Sequence, residues 1–383
     1  MIKAIINAKL IVDDRIVEGK YLLFEKSIIA ISDTMPRGDI EIVDAQGAYV
    51  SPGFIDIHIH GSGGADVMDA TPEALETISD TLLQTGTTAY LATTMTMSQT
   101  TITKALKNVK MTSNRLEGAK ILGIHMEGPF LNPEKHGAQD QRYIKEPDFS
   151  LIEPYIEQIR MITIAPEMPG AEKFIRSLSQ HYPHIVLSIG HSDASFEQSM
   201  ESFGWGISHA THLFNAMNPY HHRKPGIVGA VFDSDVSCDI IADFVHTHPS
   251  ILKLVHRVKQ ERLILITDAM RAGCMKRGYY DLGGQTVTVS EGKALLEDGT
   301  LAGSVLKMNE ALRNMTKTGM TRIEAVNAVT KYPAQKLGMK MGELKTGHSA
   351  DIVIFDEDFS IITTIVDGVI KYTNTSFRIE RSK

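Results

Sequence analysis

The sequence predicts an α/β fold, a (β/α)8 TIM-like barrel with a small β-sandwich domain formed by both termini. Three observations predict it. Short β-branched runs cut by turn residues occupy both ends of the chain. Between them, apolar strand-like runs alternate with helix-like stretches about eight times, as in a closed parallel barrel. Nearly every one of those apolar runs stops at a histidine or a carboxylate, at the strand end where such barrels carry their functional groups.

In chain order, "KAIINAKLIVD", "RIVEGKYLLFEKSIIAIS" and "DIEIVDAQGAYVSPG" read as β, and "GELKTGHSADIVIFDEDFSIITTIVDGVIKYT" reads the same way at the other end. Together they define a sandwich domain over 1–52 and 342–383, leaving 53–341 for the barrel. The barrel strands are expected in "FIDIHIH", "TTAYLATTM", "KILGIHMEG", "IRMITIAPE", "HIVLSIGHS", "GISHATHLF", "VSCDIIADFVH" and "LILITDAM". Helix-like stretches such as "TPEALETISDTLLQTG", "TTITKALKNVKMT" and "SILKLVHRVKQE" lie between them. Residues 275–303 read as a β-hairpin insertion after the last strand. A doubly wound open sheet is the alternative, but no GxGxxG or GxxxxGK[ST] follows a strand.

Composition narrows the function classes. Among 383 residues, 43% are hydrophobic and 22% charged, the ordinary globular range. A net charge of −7 argues against a nucleic-acid partner. No apolar run is long enough to span a membrane, and the first residues lack the apolar stretch of a signal peptide. Two cysteines, Cys238 and Cys274, make no disulfide framework, so the expected location is the reducing cytoplasm.

The strand ends carry the chemistry. Strand period 2 puts Asp56, His58 and His60 on one face of "FIDIHIH", and Ile55, Ile57 and Ile59 on the other. The isoleucines face the outer helices, and the histidines deliver two imidazoles to the barrel mouth, where one cation could take both. The alternative is a hydrogen-bonded pair of core histidines. Glu127, His191, His212, Asp243, His246 and Asp268 close further runs. Three protein ligands and an open position are the hydrolytic metal pattern, because the open position holds water acidified by the ion. Asp268, at the last strand, suits proton transfer to and from that water, with an N-cap role as the alternative. His125 reads as a supporting or packing group beneath Glu127. His209 reads as structural, past the regular part of its strand, and Asp56 as a hydrogen-bond partner orienting His58 and His60. His181, His184, His256 and His348 read as surface or loop residues.

On "PGFIDIHIHG", "HMEGPFLNPEKHGAQ", "IGHSDA", "THLFNAM", "IIADFVH" and "LITDAM", in that order, the chain resembles the amidohydrolase superfamily, and within it the N-acetylglucosamine-6-phosphate deacetylase family. The resemblance implies hydrolysis of N-acetyl-D-glucosamine 6-phosphate to D-glucosamine 6-phosphate and acetate in amino-sugar catabolism, with Glu127, His191 and His212 holding the main metal and Asp268 as general base and acid. It places substrate contacts on Ala138, Gln139, Asn215, Ala216, Arg223, His246 and the Leu301, Ala302 and Gly303 segment. It also implies a homodimer in which Arg223 reaches the neighbouring active site; the alternative for "HHRKPG" is a solvated basic loop. Some relatives lack the His-x-His pair, use one metal, and carry a histidine where this chain has Gln139. His58, His60 and Gln139 therefore favour two divalent metals bridged by Glu127 over one. Zinc heads the candidates, with iron, cobalt and manganese behind it. No barrel run ends in lysine, which argues against centres bridged by a carbamylated lysine. Two alternatives stand beside this reading: a related deacetylase or aminoacylase acting on another N-acyl compound such as N-acetylgalactosamine 6-phosphate, and a non-catalytic scaffold on the same fold.

Overall fold

Isoleucine-rich runs that are buried on both faces form parallel strands, and here they form eight. The computed structural model describes residues 1–374; residues 375–383, the end of the expected 342–383 segment, lie outside the described residues. The barrel strands are β1 (Phe54–Ile59), β2 (Thr87–Thr94), β3 (Lys120–Glu127), β4 (Ile159–Ile164), β5 (Val186–Ile189), β6 (His209–Ala210), β7 (Ser237–Ile241) and β8 (Leu263–Ile266). Each pairs in parallel with its sequence neighbour.

The barrel closes in two different ways at its two ends. At the carboxyl ends, Asp268 N donates to His58 O at 2.9 Å and His60 N to Ala269 O at 2.9 Å, so β8 runs onto β1 directly. At the other end the chain at Ala328–Val329 stands between them, with Ile55 N bonded to Val329 O at 2.7 Å and Leu265 N to Ala328 O at 3.1 Å. Strand β6 is far shorter than "GISHATHLF" suggests. After Ala210 the backbone leaves strand geometry, with positive φ at His212 (32°), Phe214 (81°) and Ala216 (51°). His209 accordingly lies inside the strand, and His212 beyond it.

The helices follow their caps. Thr71 Oγ1 accepts from Ala74 N to start Pro72–Leu82, which buries Ala74, Leu75, Ile78 and Leu82 along one face. Ser195 and Gln198 form a reciprocal capping box ahead of Phe196–Trp205. Lys259, buried at the end of Pro249–Lys259, donates to Val231 O (2.6 Å) and Ser234 O (2.9 Å) and so satisfies carbonyls where Gly226–Phe232 ends.

Both termini build the sandwich. Lys3–Ile6, Tyr21–Phe24, Ile28–Ser32 and Glu41–Asp44 form one sheet. Lys9–Val12, Arg15–Val17 and Tyr49–Pro52 join Ile352–Phe355, Ile361–Val366 and Val369–Thr373 in the other. Tyr49–Pro52 pairs antiparallel with Ile352–Phe355, and Ile5, Phe24, Val50 and Ile354 pack between the sheets. Gly53 then leads straight into β1, and its lack of a side chain is required: a Cβ there would lie 2.0 Å from Thr88 Oγ1. The expected insertion is a three-stranded antiparallel unit, Gly278–Leu282, Gln285–Ser290 and Lys293–Leu295. Its first turn, Gly283–Gly284, takes positive φ at both positions. Gln285 Nε2 donates to Ala138 O at 2.7 Å and ties the insertion to the loop after β3.

Candidate metal centre and active site

Glu127, the last residue of β3, is the hub. Its Oε1 lies 2.9 Å from His212 Nε2, 3.1 Å from His191 Nε2 and 3.5 Å from His58 Nε2, and its Oε2 lies 3.2 Å from His60 Nε2. Two donor sets share this one carboxylate: His58, His60 and Glu127, and Glu127, His191 and His212, each with its ligand atoms within 4.8 Å of one another. All five side chains are buried, while Ile55, Ile57 and Ile59 enter the apolar core on the opposite face of β1.

The donor chemistry fits a cation. His191 Nδ1 lies 3.0 Å from Lys135 O, and a carbonyl only accepts, so Nδ1 carries the proton. The ring's Nε2 faces the Glu127 carboxylate, and as a lone pair it would set acceptor against acceptor. His191 Nε2 and His212 Nε2 stand 3.1 Å apart, and His58 Nε2 and His60 Nε2 3.4 Å apart. Positive charge among these atoms relieves every one of these contacts. Titration runs the same way. Burial works against a charged His212, yet Glu127 outweighs it and lifts the ring to about 9. His60 is raised well above the ordinary range, against its burial, by Asp268 and Glu127. Glu127 is held well below the carboxylate range, against its burial, by His58, His191 and His212.

Asp268 follows β8 in a left-handed backbone conformation (φ 48°). Its Oδ1 lies 3.4 Å from His58 Nε2 and 3.3 Å from His60 Nε2. Burial alone would raise this carboxyl, but His58 and His60 hold it at about 2, which keeps a carboxylate facing the donor cluster. No helix begins at Asp268; a turn follows at 271–274.

The buried polar groups below the cluster support it. His125 packs edge-on against His58 with ring centroids 4.6 Å apart. Its Nδ1 donates to Ile57 O (3.1 Å) and its Nε2 accepts from Thr163 Oγ1 (2.7 Å). Burial and the nearby His58 keep it well below the usual imidazole range, hence neutral. His209 is buried between Ser237 Oγ (2.7 Å) and Asp239 Oδ2 (3.0 Å), and the other oxygen of Asp239 accepts from His212 N. Asp56 does not touch either imidazole of β1. Its carboxylate accepts from His58 N (3.2 Å) and from the backbone and hydroxyl of Thr267. The expectation that it orients the rings of His58 and His60 is corrected: the Thr267 backbone N–H and hydroxyl draw the Asp56 carboxylate sideways to the end of β8.

Above the cluster is a cleft of about 350 Å³. His60, Glu127, His191, His212 and Asp268 form its floor, and Ala138, Gln139, Asn215, Ala216, His246, Leu301 and Gly303 line its walls. Ala302 is buried away from the cleft lining, and its N–H bonds Ala294 O at 3.0 Å. Gln139 is less free than the sequence suggests. Its Oε1 accepts from Thr96 N (2.6 Å) and its Nε2 donates to Glu127 Oε2 (2.8 Å), so the amide braces the hub carboxylate. His246 gives its Nδ1 to Asp243 Oδ2 at 2.7 Å, and Asp243 Oδ1 accepts His246 N at 2.8 Å. Arg223 stands elsewhere, exposed on a loop beside a second surface cavity that His221 and Lys224 also line. No lysine or arginine among the described residues lines the first cleft. Sequence reasoning missed Met95, Leu282 and Thr300 in the cleft wall, and Asp239 and Thr267 beneath it. A carboxylate inside the apolar run "SCDII" was a readable signal for Asp239. Nothing in the sequence tells which side of the inserted hairpin folds over the mouth.

Residues 49–371 match the amidohydrolase family. The chain belongs to this family. It is 42% identical over 353 residues to the N-acetylglucosamine-6-phosphate deacetylase of Lysinibacillus sphaericus, covering 90% of this chain and 91% of the relative. Its fold superposes on the crystal structure of N-acetylglucosamine-6-phosphate deacetylase from Pasteurella multocida with a TM-score of 0.93 at 31% identity, covering 98% of this chain and 100% of the other. A variant of the Mycobacterium smegmatis N-acetyl-D-glucosamine-6-phosphate deacetylase, solved in complex with N-acetyl-D-glucosamine-6-phosphate, matches with a TM-score of 0.89 at 29% identity over 97% of this chain and 99% of that one.

Proposed function

We propose that the protein is a metal-dependent hydrolase that deacetylates N-acetyl-D-glucosamine 6-phosphate, releasing acetate and D-glucosamine 6-phosphate. The observation that carries the reading is the position of Asp268, an ionised carboxylate 3.3–3.4 Å from the histidines of a donor cluster built on one glutamate. Glu127, His191 and His212 would hold a divalent metal, and His58 and His60 a second; when bound, such ions would supply Lewis acidity to the acetamide carbonyl and acidify water near neutral pH. Asp268 takes the proton of the attacking water, then delivers it to the nitrogen as the C–N bond breaks. Gln139 holds Glu127 in place during the turnover. His246, its Nδ1 committed to Asp243, turns Nε2 as an acceptor for a sugar hydroxyl.

The phosphate reading rests on Arg223, whose planar fork suits a phosphate. The cleft has no lysine or arginine of its own among the described residues, and Arg223 is exposed outside it. Both facts favour a homodimer in which Arg223 of the partner subunit completes the site. Zinc is the proposed metal, by its affinity for imidazole and carboxylate donors. The cytoplasm is the proposed location, in keeping with two free thiols. No helix among the described residues is long and apolar enough to cross a membrane.

Acetate release from metal-replete protein tests the reading, with N-acetylglucosamine, its 6-phosphate and N-acetylgalactosamine 6-phosphate compared side by side. The phosphorylated glucosamine derivative should give the highest kcat/KM. Equal rates on the plain sugar would remove the phosphate assignment, and no acetate from any of them would remove the enzyme assignment.

A further inference from the structure

We infer that Thr267 and Asp56 are positioning residues for Asp268: a buried clasp between β8 and β1 sets the left-handed backbone that aims the Asp268 carboxylate at the donor cluster. The inference rests on the role proposed above for Asp268. Left-handed backbone is unfavourable for a residue with a side chain and persists only where the surroundings fix it. Here each neighbouring peptide group is fixed. Asp268 N donates to His58 O at 2.9 Å, and Asp268 O accepts from Ser304 N at 2.7 Å. Before it, Thr267 N donates to Asp56 Oδ1 at 3.4 Å, Thr267 O accepts from Ser304 Oγ, and the Thr267 hydroxyl donates to Asp56 Oδ2. After it, Ala269 N donates to Thr267 Oγ1 at 3.2 Å.

The hydrogen-bond directions make this a single device. The hydroxyl proton of Thr267 points to Asp56, so an oxygen lone pair is left for Ala269 N, and the loop closes over Asp268 from both sides. Asp56 accepts from His58 N as well, so one buried carboxylate registers the strand carrying His58 against the turn carrying Asp268. Asp56 and Thr267 are nearly or fully inaccessible, at 0% and 2% exposure, and neither lines the cleft. Thr267 bonds no side chain of the donor cluster, so its effect on the reaction passes through the turn that carries Asp268.

The test is Thr267→Val, which keeps the shape and deletes the hydroxyl, with Thr267→Ser as the variant that restores it. For the valine variant we expect a fall in kcat of about 10- to 100-fold, the range for a catalytic group displaced by about 1 Å. KM and metal content should stay at the wild-type values, and serine should recover most of kcat. In a crystal structure of the valine variant the Asp268 carboxylate should be rotated away from His58 and His60. Wild-type kcat in the valine variant overturns the inference, as does a loss that serine does not recover. Loss of metal also overturns it, because the clasp would then be serving His58. If the valine protein does not fold, Thr267→Ala takes its place with the same expectations. Asp268→Asn, assayed in parallel, separates this inference from the reading beneath it: full activity there removes the proton-transfer role itself, whereas an inactive Asp268→Asn beside an unaffected Thr267→Val removes only the clasp.

Discussion

At the scale of single residues, the cluster is defined by which atoms face each other. Glu127 touches both histidine pairs, so removing one pair leaves the other donor set whole. His58→Ala should therefore lower the metal content from two ions per chain to one. It should also reduce kcat by about 100-fold, since carbonyl polarisation by an ion is worth several kcal/mol. Elemental analysis of protein prepared without chelators, beside the acetate assay, checks this. One ion per wild-type chain together with a fully active His58→Ala would end the two-metal proposal. These residues were legible because strand period 2 writes a face directly into the sequence: three polar residues alternate with three isoleucines in "FIDIHIH". Asp56 was legible as a buried polar group but not in its partner. Its contact is Thr267, 211 positions away, and only the closure of the barrel brings the two together. Gln139 was legible as a residue of the cleft, but its hydrogen-bond partners were not, for a related reason. Its amide could have faced substrate, and the Thr96 backbone N–H decides that it faces Glu127 instead.

Among the elements, β3 does two jobs at its two ends. Glu127 closes it at the site, and Lys120 opens it at the sandwich, where Nζ meets Asp351 Oδ2 at 2.7 Å, Asp367 Oδ1 at 2.8 Å and Ser349 Oγ at 3.0 Å. Burial lowers the Lys120 pKa, but Asp351 and Asp367 raise it further, for a net rise; Asp367, against its own partial burial, is lowered by Lys120. The signs give a window. A raised lysine contributes stability that is full below its ordinary value of 10.5 and disappears as pH climbs through the folded value. A lowered aspartate contributes stability present above its ordinary 3.8 and lost as pH falls through the folded value. Lys120→Met should lower unfolding free energy by ~2 kcal/mol at neutral pH, because it leaves the buried Asp351 without its cation. It should also flatten the loss of stability at acid pH that Asp367 causes. Denaturant titrations from pH 3 to 8 read both effects, and superimposable wild-type and mutant curves would show that the Lys120 ion pairs contribute nothing. Element types followed from the sequence where burial is uniform: β8 is an uninterrupted apolar run, β2 is built of apolar and β-branched residues, and β1 shows strict period-2 alternation. The outline of β6 did not follow. Its run is apolar and aromatic well past Ala210, but the backbone turns left-handed at His212 to bring that ring to Glu127, and residue type alone does not announce such a turn.

Across the whole molecule, the positive charge that would suit a phosphate stands outside the cleft, on the Arg223 loop. The net charge is −7, the proposed substrate is a phosphate ester, and the described residues place no lysine or arginine in the cleft wall. Arg223 lies on an exposed loop with His221, His222 and Lys224, its guanidinium 2.9 Å from His222 Nε2. A two-fold dimer that places this loop over the neighbouring cleft supplies the missing charge to both sites at once, since each subunit gives what it receives. Complementation decides whether it does. Arg223→Ala keeps its own Asp268, and Asp268→Asn keeps its own Arg223, so each homodimer should be nearly inactive on the phosphorylated sugar. In a mixed dimer the Arg223→Ala subunit has its own base and receives Arg223 of the partner subunit, which makes one complete site. Random pairing gives half mixed dimers with one complete site of two, so coexpression should restore about a quarter of wild-type activity. If Arg223 serves its own cleft, every site in the mixture lacks either the arginine or the aspartate, and coexpression leaves the activity at the level of the parents.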